Sequence, residues 1–274
     1  MTPALIFIIV ISATVLALFL LWLFLIAPKR GKAAAPFCRP YAHRGLWSEA
    51  VPENSLAAFR LAAEAGFAIE LDVQLSSDGE VMVFHDYTLT RMCGVEKKLA
   101  SLTAAELQQC SLKGTAEHIP TLRQVLEVVS GKVPLLVELK GEAANAALCP
   151  KVAAILDEYK GEWCVESFNP ILVRWFYKNR PRVVRGLLST NLIKEKRSGS
   201  RLLNFALSSL WLTFLCRPHF HAFDKHYPRR LALLTGVRLF GAAPFVYTVK
   251  NEEEYRRFIA DGVSPIFDEF LPKA

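Results

Sequence analysis

Charge is missing from the start of this chain. Between Ala4 and Ile26 no side chain is ionisable, and no Lys or Arg precedes the run. A secretion signal wants a basic leading region and a shorter apolar core, so its cleavage is disfavoured. A run of this length instead spans a hydrocarbon core of roughly 30 Å. The six cysteines, at 38, 93, 110, 149, 164 and 216, include no CxxC pair. Their scatter argues against a cysteine metal site or a disulfide framework, and fits a reducing compartment. There is no glycine-rich phosphate loop, no RNA-binding motif and no internal repeat. The net charge of +7 is too diffuse to argue for nucleic acid.

Lys29, Arg30 and Lys32 directly follow the apolar run. The positive-inside rule then places the bulk of the chain in the cytoplasm, as a single-pass protein of the cell membrane beside an anionic leaflet. The expected organisation is an anchor over 1–28, a basic juxtamembrane tether over 29–38 and one domain over 39–274. About 240 residues suit an eight-stranded α/β barrel. Strands are expected at 40–43, 68–73, 81–85, 135–139, 163–167, 183–188, 221–223, 245–249 and 265–267, alternating with helical segments such as 143–159 and 202–215. That order implies a largely parallel sheet. Nine strands are one too many for the barrel. The Asp78-Gly79 turn between the second and third is too short for a parallel crossover, so those two form a hairpin or one of them lies outside the barrel. Residues 87–118 read as an irregular insertion.

Titratable residues gather at the ends of these β-rich runs. Alternation in Ile69-Glu70-Leu71-Asp72-Val73 puts both carboxylates on one strand face. They form either a polar barrel layer or part of a metal site. Glu138 and Lys140 repeat the spacing, as an ion pair or as functional groups. Three carboxylates together suit a hard divalent cation, Mg²⁺ or Ca²⁺. His43 is followed by Arg44, suited to phosphate oxygens, and by Gly45, which lets backbone approach a ligand. His85 is followed by Asp86, which can orient it. Two histidines flanking a phosphate supply an acid and a base near neutral pH. The combination suits phosphodiester cleavage.

The strings His43-Arg44-Gly45, Pro52-Glu53-Asn54-Ser55, Glu70-Leu71-Asp72-Val73, Asp78-Gly79, His85-Asp86 and Glu138-Leu139-Lys140 resemble the glycerophosphodiester phosphodiesterase family in order and spacing. The resemblance is dense from Ala42 to Arg91 and thinner through Glu166-Ser167-Phe168 and Tyr247-Thr248-Val249. It implies a TIM-type (β/α)8 barrel with a small insertion, here preceded by one transmembrane helix. It implies Glu70, Asp72 and Glu138 as metal ligands, His43 and His85 as the acid/base pair, and Arg44 and Lys140 on the phosphate. The reaction implied releases sn-glycerol 3-phosphate and an alcohol. The family usually has Trp where Tyr247 stands, and a Gly-Val-Asp-Gly-Ile-type segment where Gly262-Val263-Ser264-Pro265-Ile266 stands. Tyr247 and Phe168 are therefore the expected pocket residues, with a shifted substrate preference.

Leu202–Cys216 is apolar and flanked by Arg201 and Arg217. At 15 residues it is short for a span. It is either a barrel helix or an interfacial one that presents membrane lipid, which would make lysophospholipids substrates as well. A third reading, a scaffold that binds phosphodiesters without cleaving them, predicts a lost ligand or histidine, and none is missing.

Overall fold

The structure is a computed structural model and describes residues 1–141 and 146–273. The strands are β1 (Tyr41–His43), β2 (Ala68–Leu75), β3 (Val81–Val83), β4 (Leu135–Leu139), β5 (Trp163–Ser167), β6 (Arg185–Ser189), β7 (Phe220–Asp224), β8 (Ala243–Val249) and β9 (Ser264–Phe267). Each falls on a segment expected from the sequence. The surplus strand is β3, which runs antiparallel to β2 with Val73 opposite Val83 and Leu75 opposite Val81. The other eight are parallel, in the order β1-β2-β4-β5-β6-β7-β8-β9, and β9 returns to β1. This is a closed (β/α)8 barrel.

The helices are α1 (Pro3–Ile26), α2 (Leu56–Glu64), α3 (Thr90–Cys93), α4 (Ala104–Leu107), α5 (Leu122–Val129), α6 (Leu148–Glu158), α7 (Pro170–Asn179), α8 (Arg201–Ser208), α9 (Thr213–Cys216), α10 (Leu231–Arg238) and α11 (Glu252–Ala260). Ser55 caps α2 by accepting from the Ala58 N–H at 3.1 Å. The helix expected from 143 begins at Leu148, and 143–145 lie outside the described residues. The helix expected over 202–215 is two helices instead. Leu210 takes φ 57 and is 1% exposed, so its side chain turns into the core at the cost of the helical path.

Alternation divides β2 between two cores. Leu71 and Val73 join the layer between sheet and helices. Inside the barrel, Tyr41, Leu136, Phe220, Phe245 and Ile266 fill the end nearest the strand N-termini, with Phe220 stacked on Phe245 at 4.4 Å. Ala34 and Phe37 belong to that cluster, and the Phe37 carbonyl accepts from the Tyr41 hydroxyl at 3.0 Å. The segment read as a tether thus plugs the barrel floor. The insertion has a small core of its own, including Leu89, Met92, Leu99, Leu107 and Ile119.

Among the described residues α1 is the one helix long and apolar enough to cross a membrane, with mean hydropathy 3.0 over its most apolar window. Twenty-four residues extend about 36 Å. Its last turn docks on the barrel flank. Phe24 packs on Phe214 at 5.6 Å, and the Arg217 guanidinium donates to the Ala27 carbonyl at 2.7 Å.

Candidate active site

His43, Arg44, Glu70, Asp72, His85, Glu138 and Lys140 lie toward the strand C-terminal end of the barrel or in the loops that leave it. Period-two alternation turns Glu70 and Asp72 inward, and the register sets Asp72 beside Glu138 and Glu138 beside Glu166. Glu70, Asp72 and Glu138 offer carboxylate oxygens all within 4.8 Å of one another. Asp72 is fully buried, and Glu70 and Glu138 are 2% and 8% exposed. Lys140 Nζ bridges Asp72 Oδ1 at 3.0 Å and Glu138 Oε1 at 2.9 Å. Arg44 Nε lies 3.3 Å from Asp72 Oδ2.

The electrostatics are those of a crowded anionic site. Burial pushes Glu70 well up, and the Asp72 and Glu138 carboxylates beside it add to the rise. Burial pushes Glu138 up to about 7 against the pull of Lys140. Burial also opposes charge on Asp72, but Lys140 and Arg44 outweigh it and hold the group well below the usual range. Glu166 is raised by burial and by Glu138. Four inward carboxylates thus face two cations. An all-oxygen, buried and under-neutralised donor set fits a hard divalent ion.

His43 ends β1 opposite Glu70. Its Nδ1 lies 3.1 Å from Asp268 Oδ2, just past β9, which leaves Nε2 on the side of Glu70 at 3.9 Å. His85 lies two residues beyond β3, in the loop that opens the insertion. Its Nδ1 is 2.6 Å from Asp86 Oδ1. Gln74 of β2 fixes that loop by donating to the carbonyls of Phe84, His85 and Asp86 at 2.9, 3.1 and 2.8 Å. Burial lowers both imidazoles, and Arg44 lowers His43 further while Lys140 does the same to His85. Both environments favour the neutral form over a free imidazole, and each ring has one nitrogen fixed by a carboxylate.

Arg44 takes φ 60 and Gly45 φ 84 as the chain turns from β1 toward α2. A Cβ on Gly45 would come within 2.7 Å of the Ala58 backbone, so glycine is required by both space and φ. Arg44 is ion-paired in this state, to Glu53 at 2.7 Å as well as to Asp72. Phe168 and Tyr247 meet edge to face at 5.9 Å on the other side of the mouth, and the Tyr247 hydroxyl donates to the Ser189 carbonyl at 3.0 Å.

Several participants had no role assigned from the sequence. Asn54 donates to Asp72 Oδ2 at 2.9 Å. Glu53 receives Arg44 at 2.7 Å and Arg91 at 2.7 and 2.9 Å, while Arg91 also holds Asp86 at 2.6 Å. Glu53 and Asn54 lie in the Pro-Glu-Asn-Ser string, which was the available signal. Asp268 and Glu166 are acids at strand C-terminal ends, the position where barrel enzymes keep their chemistry. Arg91 carried no signal beyond its closeness to His85.

A closed parallel barrel with three clustered carboxylates, two carboxylate-held histidines and two cations at its upper rim belongs to the barrel enzymes that act on phosphoric esters. More narrowly, the chain belongs to the glycerophosphoryl diester phosphodiesterase family, whose model matches residues 43–271. It is 30% identical over 240 residues to a glycerophosphodiester phosphodiesterase of Caldanaerobacter subterraneus, covering 83% of this chain and 92% of the relative. Among solved structures it is similar to a glycerophosphodiester phosphodiesterase from Thermotoga maritima, with 30% identity, TM-score 0.64 and coverage of 84% and 95%. A phosphodiesterase from Oleispira antarctica, solved with the product sn-glycerol-3-phosphate, shares the fold with TM-score 0.70 at 24% identity, over 85% and 94% of the two chains.

Proposed function

We propose that this chain hydrolyses glycerophosphodiesters to sn-glycerol 3-phosphate and an alcohol, with His43 and His85 as its acid/base pair. The observation that carries the reading is the Glu70, Asp72 and Glu138 cluster with these histidines and with Arg44 and Lys140 around it. Those three carboxylates would hold one divalent cation, Mg²⁺ or Ca²⁺. When bound, such an ion offsets charge on the phosphoryl oxygens and brings a ligand oxygen to lower pKa.

The residues of the chain supply the rest. Arg44 and Lys140 already sit among the carboxylates and can share their donors with a bound phosphate, which places them to bind it and to stabilise developing charge. The Nδ1 contacts to Asp268 and Asp86 leave Nε2 of each imidazole free to move a proton. One neutral imidazole takes the proton of the attacking hydroxyl, and the other, protonated, delivers one to the leaving alkoxide. Phe168 and Tyr247, set edge to face, offer an aromatic corner for the glycerol or headgroup. His85→Ala and Glu138→Ala test the assignment by release of glycerol 3-phosphate from glycerophosphocholine. The expected loss is about 10²-fold or more for His85. Unchanged turnover in either variant would remove that residue from the site.

A second reading adds lysophospholipids as substrates. Support comes from a lysophospholipase D of Rattus norvegicus, 26% identical over 86% of this chain, together with the apolar α1. Lysophosphatidate from lysophosphatidylcholine would establish it. From its length and apolarity, α1 supports residues 1–28 as an anchor in the cell membrane, with 29–38 joining it to the domain and the catalytic domain over 39–274 in the cytoplasm, as Lys29, Arg30 and Lys32 favour. An alkaline phosphatase fused to the C-terminus should then be inactive, and an active fusion would reverse the orientation.

A further inference from the structure

A helix on a barrel flank normally turns its apolar stripe to the sheet and its polar face to water. Helix α8 does the reverse. Its buried residues are Asn204 and Ser208, while Leu202, Leu203 and Phe205 are 75%, 50% and 45% exposed. The inward polar groups are satisfied. Asn204 donates to the Arg197 carbonyl at 3.0 Å, and the Ser208 hydroxyl accepts from the Leu192 N–H at 3.0 Å. The inverted face is therefore a fixed feature of the helix and needs an apolar occupant.

Two observations identify that occupant. The segment that follows α8 touches both the patch and the end of α1. Phe205 packs on Trp211 at 5.2 Å, and Phe214, in the next helix, packs on Phe24 of α1 at 5.6 Å. The loop that leads into α8 is basic, with Lys194, Lys196, Arg197 and Arg201 close in sequence and Glu195 the single acid among them. An apolar face rimmed by cations beside a membrane-length helix matches an anionic lipid surface. The same crossover is tied to the catalytic mouth. Arg230 donates to the Ser208 carbonyl and to the Ser189 hydroxyl, both at 2.5 Å, and Ser189 also receives Tyr247.

We propose that the β6–β7 crossover, through Leu202, Leu203 and Phe205 with the basic loop before them, lies on the acidic lipid surface and holds the Tyr247 side of the mouth at the leaflet. The inference rests on the reading of α1 as a membrane span, which is checked separately by flotation of the chain with vesicles and by exchange protection of residues 3–26.

The test is amide hydrogen exchange on the full chain, reconstituted in vesicles of phosphatidylcholine alone or mixed with phosphatidylglycerol. The amides of 201–211 should exchange about tenfold more slowly in the anionic vesicles. Reversing Lys194→Glu, Lys196→Glu and Arg197→Glu together should abolish the difference, while β5 keeps its protection as the folding control. Leu202→Ser, Leu203→Ser and Phe205→Ser together should lower protection in both vesicle types. Equal exchange of 201–211 by the wild-type chain in the two lipids would overturn the proposal, even if a variant fails to fold. Protection that rises with protein density would assign the face to a second copy and would also overturn it.

Discussion

Asp268 shows how one contact can set the chemistry of another residue. Its Oδ2 lies 3.1 Å from His43 Nδ1, and its charge and hydrogen bond raise an imidazole that burial and Arg44 lower. Asp268→Asn should reduce kcat by about 10- to 100-fold, because the fixed tautomer is lost. It should also move the pH–rate limb that belongs to His43 to lower pH, since one of the terms favouring His43⁺ is gone. Asp86→Asn should do the same for the limb of His85. Whichever variant moves the acid limb names the general base, and a fall in kcat with neither limb displaced would reduce both acids to packing. Glu138 couples metal binding to a proton. Its carboxyl is pushed up to about 7, so it holds a proton below that pH and must release it to ligate a cation. Metal affinity should fall as pH drops through 7. Calorimetry in two buffers of different ionisation enthalpy should show net proton release near neutral pH, and none would contradict the ligand role.

The insertion after β3 serves the site through one element. Arg91 of α3 spans Glu53 and Asp86, the carboxylates that hold Arg44 and His85. At 44% exposed, Arg91 adds at most about 1 kcal/mol to stability. Arg91→Ala should therefore leave unfolding nearly unchanged and lower kcat more than it alters KM. Lys at 91 should not restore kcat, because a point donor cannot bridge two carboxylates as a guanidinium fork does. Full rescue by Lys would assign the effect to charge alone. The same elements show what sequence can reveal. Strands β2 and β4 were legible because period two fixes which side chains share a face, so Glu70 could be paired with Asp72 before any fold was known, while Glu138 joined them through the family resemblance. The pairing of Asp268 with His43 joins residues 225 apart and depends on β9 closing against β1, which no local pattern records. The helix read as one over 202–215 breaks at Leu210 because tertiary packing outweighs local propensity. Hydropathy alone could not tell that α8 faces its leucines outward.

At the scale of the whole molecule, barrel stability should carry a pH signature distinct from that of catalysis. His221 of β7 is fully buried against Gly236 of α10, where a Cβ would lie 3.4 Å from its ring. Burial, with Arg230 nearby, pushes the imidazole down to about 4, against an ordinary value near 6.5. Between these values the unfolded chain binds a proton that the folded chain refuses, so stability rises with pH across that window. It is complete above about 6.5 and lost as pH falls toward 4, by on the order of 3 kcal/mol. His221→Gln should narrow the difference in urea midpoint between pH 7.5 and pH 5, and an unchanged difference would place the acid lability elsewhere. In the proposed reaction the barrel mouth works as a unit, its carboxylates, histidines and cations acting on one phosphodiester with a divalent ion. The most direct measurement follows glycerol 3-phosphate released from glycerophosphocholine by the full chain, before chelation, after it, and after return of Mg²⁺ or Ca²⁺. Chelation should abolish release, and one of the two ions should restore it. Release that persists undiminished through chelation, or no release with either ion, would contradict the proposed reaction.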